Sequence, residues 1–551
     1  MDHEEPTQPG LNRRRFLGSA AGAVALGAAG WAGCRPKADE SAADRPWDHE
    51  VDVVVIGSGT GLVAALAARV AGADVLVLEK RKIVGGTTGH SGGVAWVPNN
   101  NVMKAEGLAD DPEKARQYLV KLAGGQATDE LIDAFLEAGP EMADFVQAHS
   151  PIRWRVSTIM GNNADYHPEW PGAMTRGRSI EPTVDRAGLF GPDLIAGLQR
   201  GFEDAGGTLW TETPARRLIV KHHDETRREV VGVEALREGR PIRIRARRGV
   251  HLSTGGFEWD PELKRHFLRH PTLYTLGAGG NTGDGLRMAM AVGADLRNLN
   301  EVYAHTVYKE EAEALRPHFM GATLNAEIEK RVAGSIIVND RGERFHDEAA
   351  DYDSTWRSFY TWENWGELRY RNLPAYLIFD GQVRQRGRIA GASATDPLPD
   401  WFVEAPTLRA LAERLGIDPD GLEATVARFN ANARRGVDPD FMRGKSHYDR
   451  YGEPDVGITL GPIENAPFYA AEVAPADLGT CGGARVDGRA QVLDPFGESI
   501  PGLSASGNCA GIGSPGASYG GGGGTIGPAL TFAYIAGRAL GARRPGGGEP
   551  A

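Results

Sequence analysis

The fold class this sequence predicts is α/β: a Rossmann-like nucleotide-binding domain interrupted by an inserted α+β region that caps it. Three observations predict it. The β-branched run Val51–Ile56 reads as a buried parallel strand, because a strand covered on both faces needs no polar alternation. It leads into Gly57-Ser58-Gly59-Thr60-Gly61, a helical stretch Leu62–Val70 and a second apolar strand, Asp74–Leu78, that ends in Glu79. An acidic residue about 20 positions after the glycines stands where a ribose hydroxyl needs an acceptor. Far downstream, a short strand and turn, Gly502–Asn508, precedes a glycine run and a helix, so the chain returns to the nucleotide domain near its end.

Taken in order, the chain starts outside the fold. Asn12-Arg13-Arg14-Arg15-Phe16-Leu17 precedes a weakly apolar, small-residue stretch from Gly18 to Gly33. That is the layout of a twin-arginine signal, which exports proteins already folded and loaded with cofactor. The expected location is the periplasm or the outer face of the cytoplasmic membrane. The stretch is too short and Gly-rich for a stable membrane span. Cys34 follows Trp31-Ala32-Gly33 like a lipoprotein processing site except for the bulky Trp31, so a lipid anchor at Cys34 stays open. Residues 35–47 read as a polar linker.

The glycine motif departs from Gly-x-Gly-x-x-Gly: its third Gly comes one place early, and Leu62 holds the usual slot. Three further segments argue for FAD over NAD. Gly85–Gly93 follows the Glu79 strand at once, where a flavin ring would be wrapped. Gly249–Phe257 reads as a strand into a tight turn, and Gly502–Asn508 supplies a second such turn. His90 lies outside the Ser-His-Thr context of flavins bonded through His, so the FAD is expected to be non-covalent.

Tyr519 stands before five glycines, Gly520–Gly524, and then Thr525-Ile526-Gly527-Pro528. Residues without a Cβ let the backbone approach a flat ligand, at an entropic cost that ordering must offset. Pro528 is placed like the first residue of a helix running to about Ala542, whose N-terminus would favour an oxyanion or an electron-rich ring. On this reading Gly520 to Gly522 give a ring system room.

Composition narrows the function. A chain of 551 residues exceeds one ordinary core, so two domains are expected. A formal net charge of −12 argues against nucleic acid, because no basic stripe could neutralise phosphates. The three cysteines (34, 481 and 509) are too few for a disulfide framework and lack metal-ligand spacing with His, so no metal is expected.

These residues resemble the flavoprotein family that contains fumarate reductases and 3-ketosteroid dehydrogenases, over about residues 48–545. Several stretches are similar to the 3-ketosteroid Δ1-dehydrogenases: Gly92–Asn100, Tyr118–Met142, Asp165–Glu169, Gly334–Asn339, Gly342–Phe345, Asp347-Glu348 before Tyr352, and Tyr519-x-x-x-Gly523-x-Thr525-Ile526-Gly527. The resemblance implies FAD-dependent Δ1-dehydrogenation of a 3-ketosteroid. A hydride leaves C1 for flavin N5, the C2 proton goes to Tyr352 with Tyr166 as its helper, and the Tyr519 hydroxyl and Gly523 N–H polarise the C3 carbonyl. Losing one such oxyanion donor typically costs about 3 kcal/mol of barrier. A free tyrosine titrates near ~10, so the base needs a neighbour that stabilises its anion. The resemblance also implies FAD contacts from Gly57, Ser58, Gly59, Thr60, Gly61, Glu79, Lys80, Gly86, Thr87, Thr88, Ser91, Gly92, Gly93, Thr254, Gly255, Gly256, Asp284, Gly507, Asn508, Thr525 and Ile526.

Departures bear on the alternatives. Leu478-Gly479-Thr480-Cys481-Gly482-Gly483 carries Leu where fumarate reductases carry His, which weakens a dicarboxylate substrate. A fumarate-reductase-like enzyme reducing an unsaturated acid, a Δ4-dehydrogenase and a non-catalytic exported flavin-binding protein stay open. Arg344 reads as a catalytic acid or a structural ion pair, and the aromatics of 153–171 and 354–366 as substrate lining or core. The FAD domain is expected at 48–300 plus 470–545, and the catalytic domain, with helix-like 405–435, at 301–469. The active site falls in the cleft between them. A quinone is the electron acceptor that location outside the cytoplasm suggests.

Overall fold

Val53 and Val55 join Val75 and Val77 in one hydrophobic cluster, while Val54 and Ile56 join Leu76 and Leu78 in another. The alternation therefore exists, but both faces are covered, which is why the sequence reads as a continuous apolar run. A computed structural model of the protein describes residues 45–158, 164–184, 189–223, 228–270, 274–315, 324–516 and 518–544. The arginine signal, Cys34 and linker residues 35–44 lie outside the described residues.

The first sheet runs in the order Gln491–Leu493, Ser499–Ala505, Arg240–Leu252, His49–Ile56, Val75–Leu78, Thr208–Trp210. His49–Ile56 pairs in parallel with both neighbours, and Ser499–Ala505 returns in parallel beside Arg240–Leu252 through Leu503↔Val250 and Ala505↔Leu252. His251 secures that return, with Nδ1 2.9 Å from Ser504 Oγ and Nε2 3.0 Å from Ser506 Oγ. An antiparallel hairpin, Ala215–His222 with Arg228–Arg237, adds to the same sheet.

Gly57 closes the first strand at φ +101°, and a Cβ there would lie 2.2 Å from the Ser253 carbonyl oxygen. The helix Gly61–Val70 follows, and the C-terminal helix Ile526–Ala542 packs on it. A Cβ on Gly537 would sit 2.3 Å from the Ala64 carbonyl oxygen, so only glycine permits this approach. That last helix begins at Ile526, two residues before the expected start. Pro528 is accommodated because the first N–H groups of a helix have no partner within it.

The second sheet is built on Phe468–Thr480. Val302–Tyr308, Ala375–Asp380 and Val403–Ala405 pair with it antiparallel, Ser335–Asn339 extends it, and Tyr274–Thr275 lies parallel. Its strands thus reach beyond 301–469 on both sides. The stretch 405–435 is two helices, Leu408–Leu415 and Pro419–Ala433, split at Gly416, where φ is +71°, and capped afresh by Asp418. Both pack on Ile336, Val338, Tyr376 and Ile378. No helix among the described residues is long and apolar enough to cross a membrane.

Candidate active site

One continuous cavity takes lining from both sheets. At its nucleotide end stand Gly57, Ser58, Gly59, Thr60, Glu79, Lys80, Gly86, Thr87, Thr88, Ser91, Gly92, Gly93, Thr254, Gly255, Asp284, Gly507, Asn508, Thr525 and Ile526. Two expected contacts do not line it. Gly61 packs under the loop, where a Cβ would meet Ser253 Cβ at 2.8 Å, and Gly256 lies against Thr480 Oγ1 and Glu258 Oε2, which a Cβ would meet at 2.2 and 2.4 Å. Their small size serves backbone packing.

The polar groups of this end are held in place. Ser58 donates to Glu79 Oε2 from its N–H at 3.2 Å and its hydroxyl at 2.5 Å, while Arg81 N–H donates to Oε1 at 2.8 Å. Lys80 Nζ pairs with Asp284 at 2.6 Å and donates to Thr282 Oγ1 at 2.8 Å. Thr87 Oγ1 accepts from Ala278 N–H and Asn281 Nδ2, both at 2.9 Å. Behind Asn281 lies Glu258, whose carboxyl burial pushes up to about 7.

The glycine loop has a different purpose from the one expected. Trp96, fully buried, lies beneath it: a Cβ on Gly520 or Gly521 would meet the indole at 2.6 or 2.7 Å. These glycines make room for a tryptophan of this chain, not for a ligand ring. Gly523, at φ +93°, crosses the Val94 carbonyl oxygen, which a Cβ would meet at 2.5 Å, and accepts from Trp96 N–H at 3.1 Å. Gly522 and Gly523 do line the cavity. The indole Nε1 donates to Asp165 at 2.8 Å, and the buried Arg178 clamps Asp165 and Asp110, each at 2.7 Å. Tyr118 Oη donates to the Gly520 carbonyl at 2.7 Å, and Asp353 accepts from Tyr519 N–H at 3.1 Å.

At the far end the expected catalytic tyrosines converge. Tyr352 lies edge-on to Tyr166 and Tyr519, with ring centroids 5.4 and 5.5 Å away, and all three line the cavity. Tyr519 Oη is 3.1 Å from Thr525 Oγ1, at the start of the C-terminal helix. Burial pushes the Tyr352 phenol well above its ordinary range and the nearby Tyr519 adds to this, whereas the hydrogen bond from Tyr166 works the other way. Tyr166 is raised in turn, first by burial and then by Tyr352.

This glycine cradle with its acidic and basic partners fits a dinucleotide cofactor. A family model described as FAD binding domain matches residues 52–525. The chain belongs to this FAD-binding family. The 3-oxosteroid 1-dehydrogenase of Mycolicibacterium smegmatis is 36% identical to this flavoprotein over 89% of this chain and 96% of its own. The 4-oxocyclohexanecarboxylate 2-dehydrogenase of Sinomonas cyclohexanicum is 35% identical over 90% of this chain and 93% of its own. Among solved structures, the 3-ketosteroid Δ1-dehydrogenase of Sterolibacterium denitrificans in complex with 1,4-androstadiene-3,17-dione matches with a TM-score of 0.80 at 28% identity, covering 90% of this chain and 100% of that one.

Other readings are decided by position. Arg344 of this flavoprotein does not line the cavity; buried, it binds Glu348 at 2.7 Å and Asp438 at 3.0 Å as a structural ion pair. Among the described residues of 153–171 only Tyr166 reaches the lining, and from 354–366 no residue does. Trp356 and Phe359 are core, and Trp362 and Trp365 are exposed. Leu478, which stands where fumarate reductases carry His, lines the cavity and packs against the tyrosine cluster. Tyr303 and His305 were missed: Tyr303 stacks on Tyr519 at 4.8 Å, and both line the cavity. Their spacing of two on an apolar run was the signal that could have found them.

Proposed function

We propose that this flavoprotein catalyses the FAD-dependent Δ1-dehydrogenation of 3-ketosteroids. The observation that carries the reading is the convergence of Tyr352, Tyr166, Tyr519 and Gly523 in a cavity whose lining includes Leu189, Leu276, Leu324, Ile328 and Leu478, the last packed against the tyrosines. A dicarboxylate would require cations there. The lining cations Lys80 and Arg81 belong to the nucleotide end beside Glu79, and Lys80 is already paired with Asp284. Among the described residues the fumarate-reductase-like alternative therefore lacks lysine or arginine partners.

Bound non-covalently in the glycine cradle, FAD supplies the acceptor for the hydride from C1. Tyr519 Oη and Gly523 N–H hold the C3 carbonyl oxygen, so that charge developing there on loss of the C2 proton meets two donors already in place. Tyr352 takes that proton, and the Tyr166 hydroxyl donates to its phenolate. Thr525 fixes the Tyr519 hydroxyl. The apolar side chains of the lining match a fused-ring hydrocarbon.

Anaerobic mixing of the yellow protein with androst-4-ene-3,17-dione tests the reading: the flavin absorbance is expected to bleach. Persistence of the colour with this ketone and with cholest-4-en-3-one would sink it. The Arg13–Leu17 segment and the small apolar stretch behind it support export by the twin-arginine route to the periplasm or the outside face of the cytoplasmic membrane. Cys34 supports a lipid anchor there, within reach of quinones as electron acceptor. Replacing Arg14 and Arg15 with Lys should leave the protein in the cytoplasmic fraction; unchanged export would remove this assignment.

A further inference from the structure

The strand Val302–Tyr308 is buried along its whole length and presents Tyr303 and His305 to the cavity. His305 stands edge-on to Tyr352, with ring centroids 6.3 Å apart and planes at 71°. Its Nδ1 lies 3.0 Å from the Thr306 carbonyl oxygen. A carbonyl only accepts, so Nδ1 carries the hydrogen and the neutral ring keeps Nε2 as a bare acceptor. Glu327 lines the same cavity, where its carboxylate accepts from Thr306 N–H at 3.1 Å and pairs with Lys330 Nζ at 3.1 Å.

These are the charges that bear on His305. Burial lowers its basicity most, Glu327 and the Thr306 carbonyl raise it, and Lys330 lowers it. On the paired strand, Asp477 is engaged by Lys264 at 2.9 Å. The short helix Asn325–Glu329 carries the route outward: Leu324 and Ile328 line the cavity and are 41% and 45% exposed. Glu327 thus lines the cavity in the same short segment as the exposed Leu324 and Ile328, and its charge acts on His305.

We propose that His305 is the proton-relay residue that empties Tyr352 after each turnover, handing the proton past Glu327 to solvent at the Leu324–Ile328 mouth. The inference rests on the reading of Tyr352 as the base. In the step the Tyr352 O–H bond breaks and an Nε2–H bond forms, leaving a phenolate and an imidazolium faced by the Glu327 carboxylate. The imidazolium then loses the same proton to water at the mouth, and no electrons change hands. The transfer runs uphill, because burial disfavours both charged rings. The imidazolium is therefore transient, and its formation limits how fast Tyr352 is reset. A group that kept the proton would halt the cycle.

The test compares the FAD-loaded wild type with His305→Asn, which keeps an N–H for the Thr306 carbonyl but has nothing at the Nε2 position. With androst-4-ene-3,17-dione, anaerobic bleaching should slow at least about tenfold at neutral pH and recover as hydroxide rises, because a resting Tyr352 must be emptied before it takes the C2 proton. Steady-state turnover with an artificial acceptor should fall at least about tenfold at neutral pH and recover as hydroxide rises. In His305→Ala, added imidazole should restore turnover in proportion to its unprotonated fraction. Wild-type turnover in His305→Asn, or a loss in His305→Ala that free-base imidazole does not relieve, would overturn the relay. If His305→Asn fails to retain FAD, His305→Gln is read by the same two measurements. A wild type that does not bleach, or bleaching that survives Tyr352→Phe, instead removes the base itself and the relay with it.

Discussion

A tyrosine serves as a base only when its phenolate is stabilised, and the surroundings of Tyr352 pull in opposite directions. Burial disfavours the anion most, Tyr519 adds to that, and the hydrogen bond from Tyr166 opposes both. Only the ionised form takes a proton, and its pKa is raised, so flavin reduction should quicken as pH rises through the alkaline range. Tyr166→Phe removes the supporting donor and should move that rise to higher pH, slowing reduction about tenfold at fixed pH if the shift is about one unit. Stopped-flow profiles of the two proteins check this, and superimposable curves would remove Tyr166 from its role. Tyr519→Phe should retain FAD while slowing reduction on the order of 100-fold. These tyrosines were legible because motif residues flank each of them. Tyr303 and His305 were not, since a buried β-branched strand looks the same whether it faces a core or a ligand.

Among the elements, the glycine loop carries the clearest lesson about what sequence conceals. Its glycines were visible, but their reason was Trp96, hundreds of residues away along the chain and fully buried beneath them. Gly520→Ala should cost about 1–3 kcal/mol by overpacking the indole. Trp96→Phe in the same chain should return part of that loss, measured by urea unfolding; strict additivity of the two changes would refute the contact. The returning strand Ser499–Ala505 depends on a second buried device. His251 is neutral between Ser504 and Ser506, and burial pushes it down to about 3 from an ordinary 6.5. The unfolded chain therefore binds a proton that the folded chain refuses. Its contribution to stability is complete above about 6.5 and is lost progressively as pH falls toward about 3. His251→Asn should flatten the acid limb of the stability curve over that window, whatever it does to stability at neutral pH. An equally steep limb would place the sensitivity elsewhere.

For the molecule as a whole, the nucleotide half was readable from a strand, a glycine turn and an acid at fixed spacing, whereas the second sheet was not. Its central strand Phe468–Thr480 gathers partners from 274 to 405, pairings of high sequence separation that no local pattern announces. The cavity joins these two constructions, with lining residues from Ile56 to Ala529. A ligand that fills it binds the folded chain and not the unfolded one, and it stabilises by RT ln(1 + [FAD]/Kd), about 2.7 kcal/mol at 100 Kd. Protein stripped of FAD should therefore melt at lower temperature, with a midpoint that climbs with the logarithm of added FAD. Glu79→Gln keeps the size of the group that accepts from Ser58 and Arg81 but removes its charge. Ribose hydroxyls would then meet a poorer acceptor, and about tenfold more FAD should be needed for the same midpoint. Calorimetric titration of both apoproteins decides the matter: a wild-type midpoint indifferent to FAD would mean that the two sheets hold together without the cofactor.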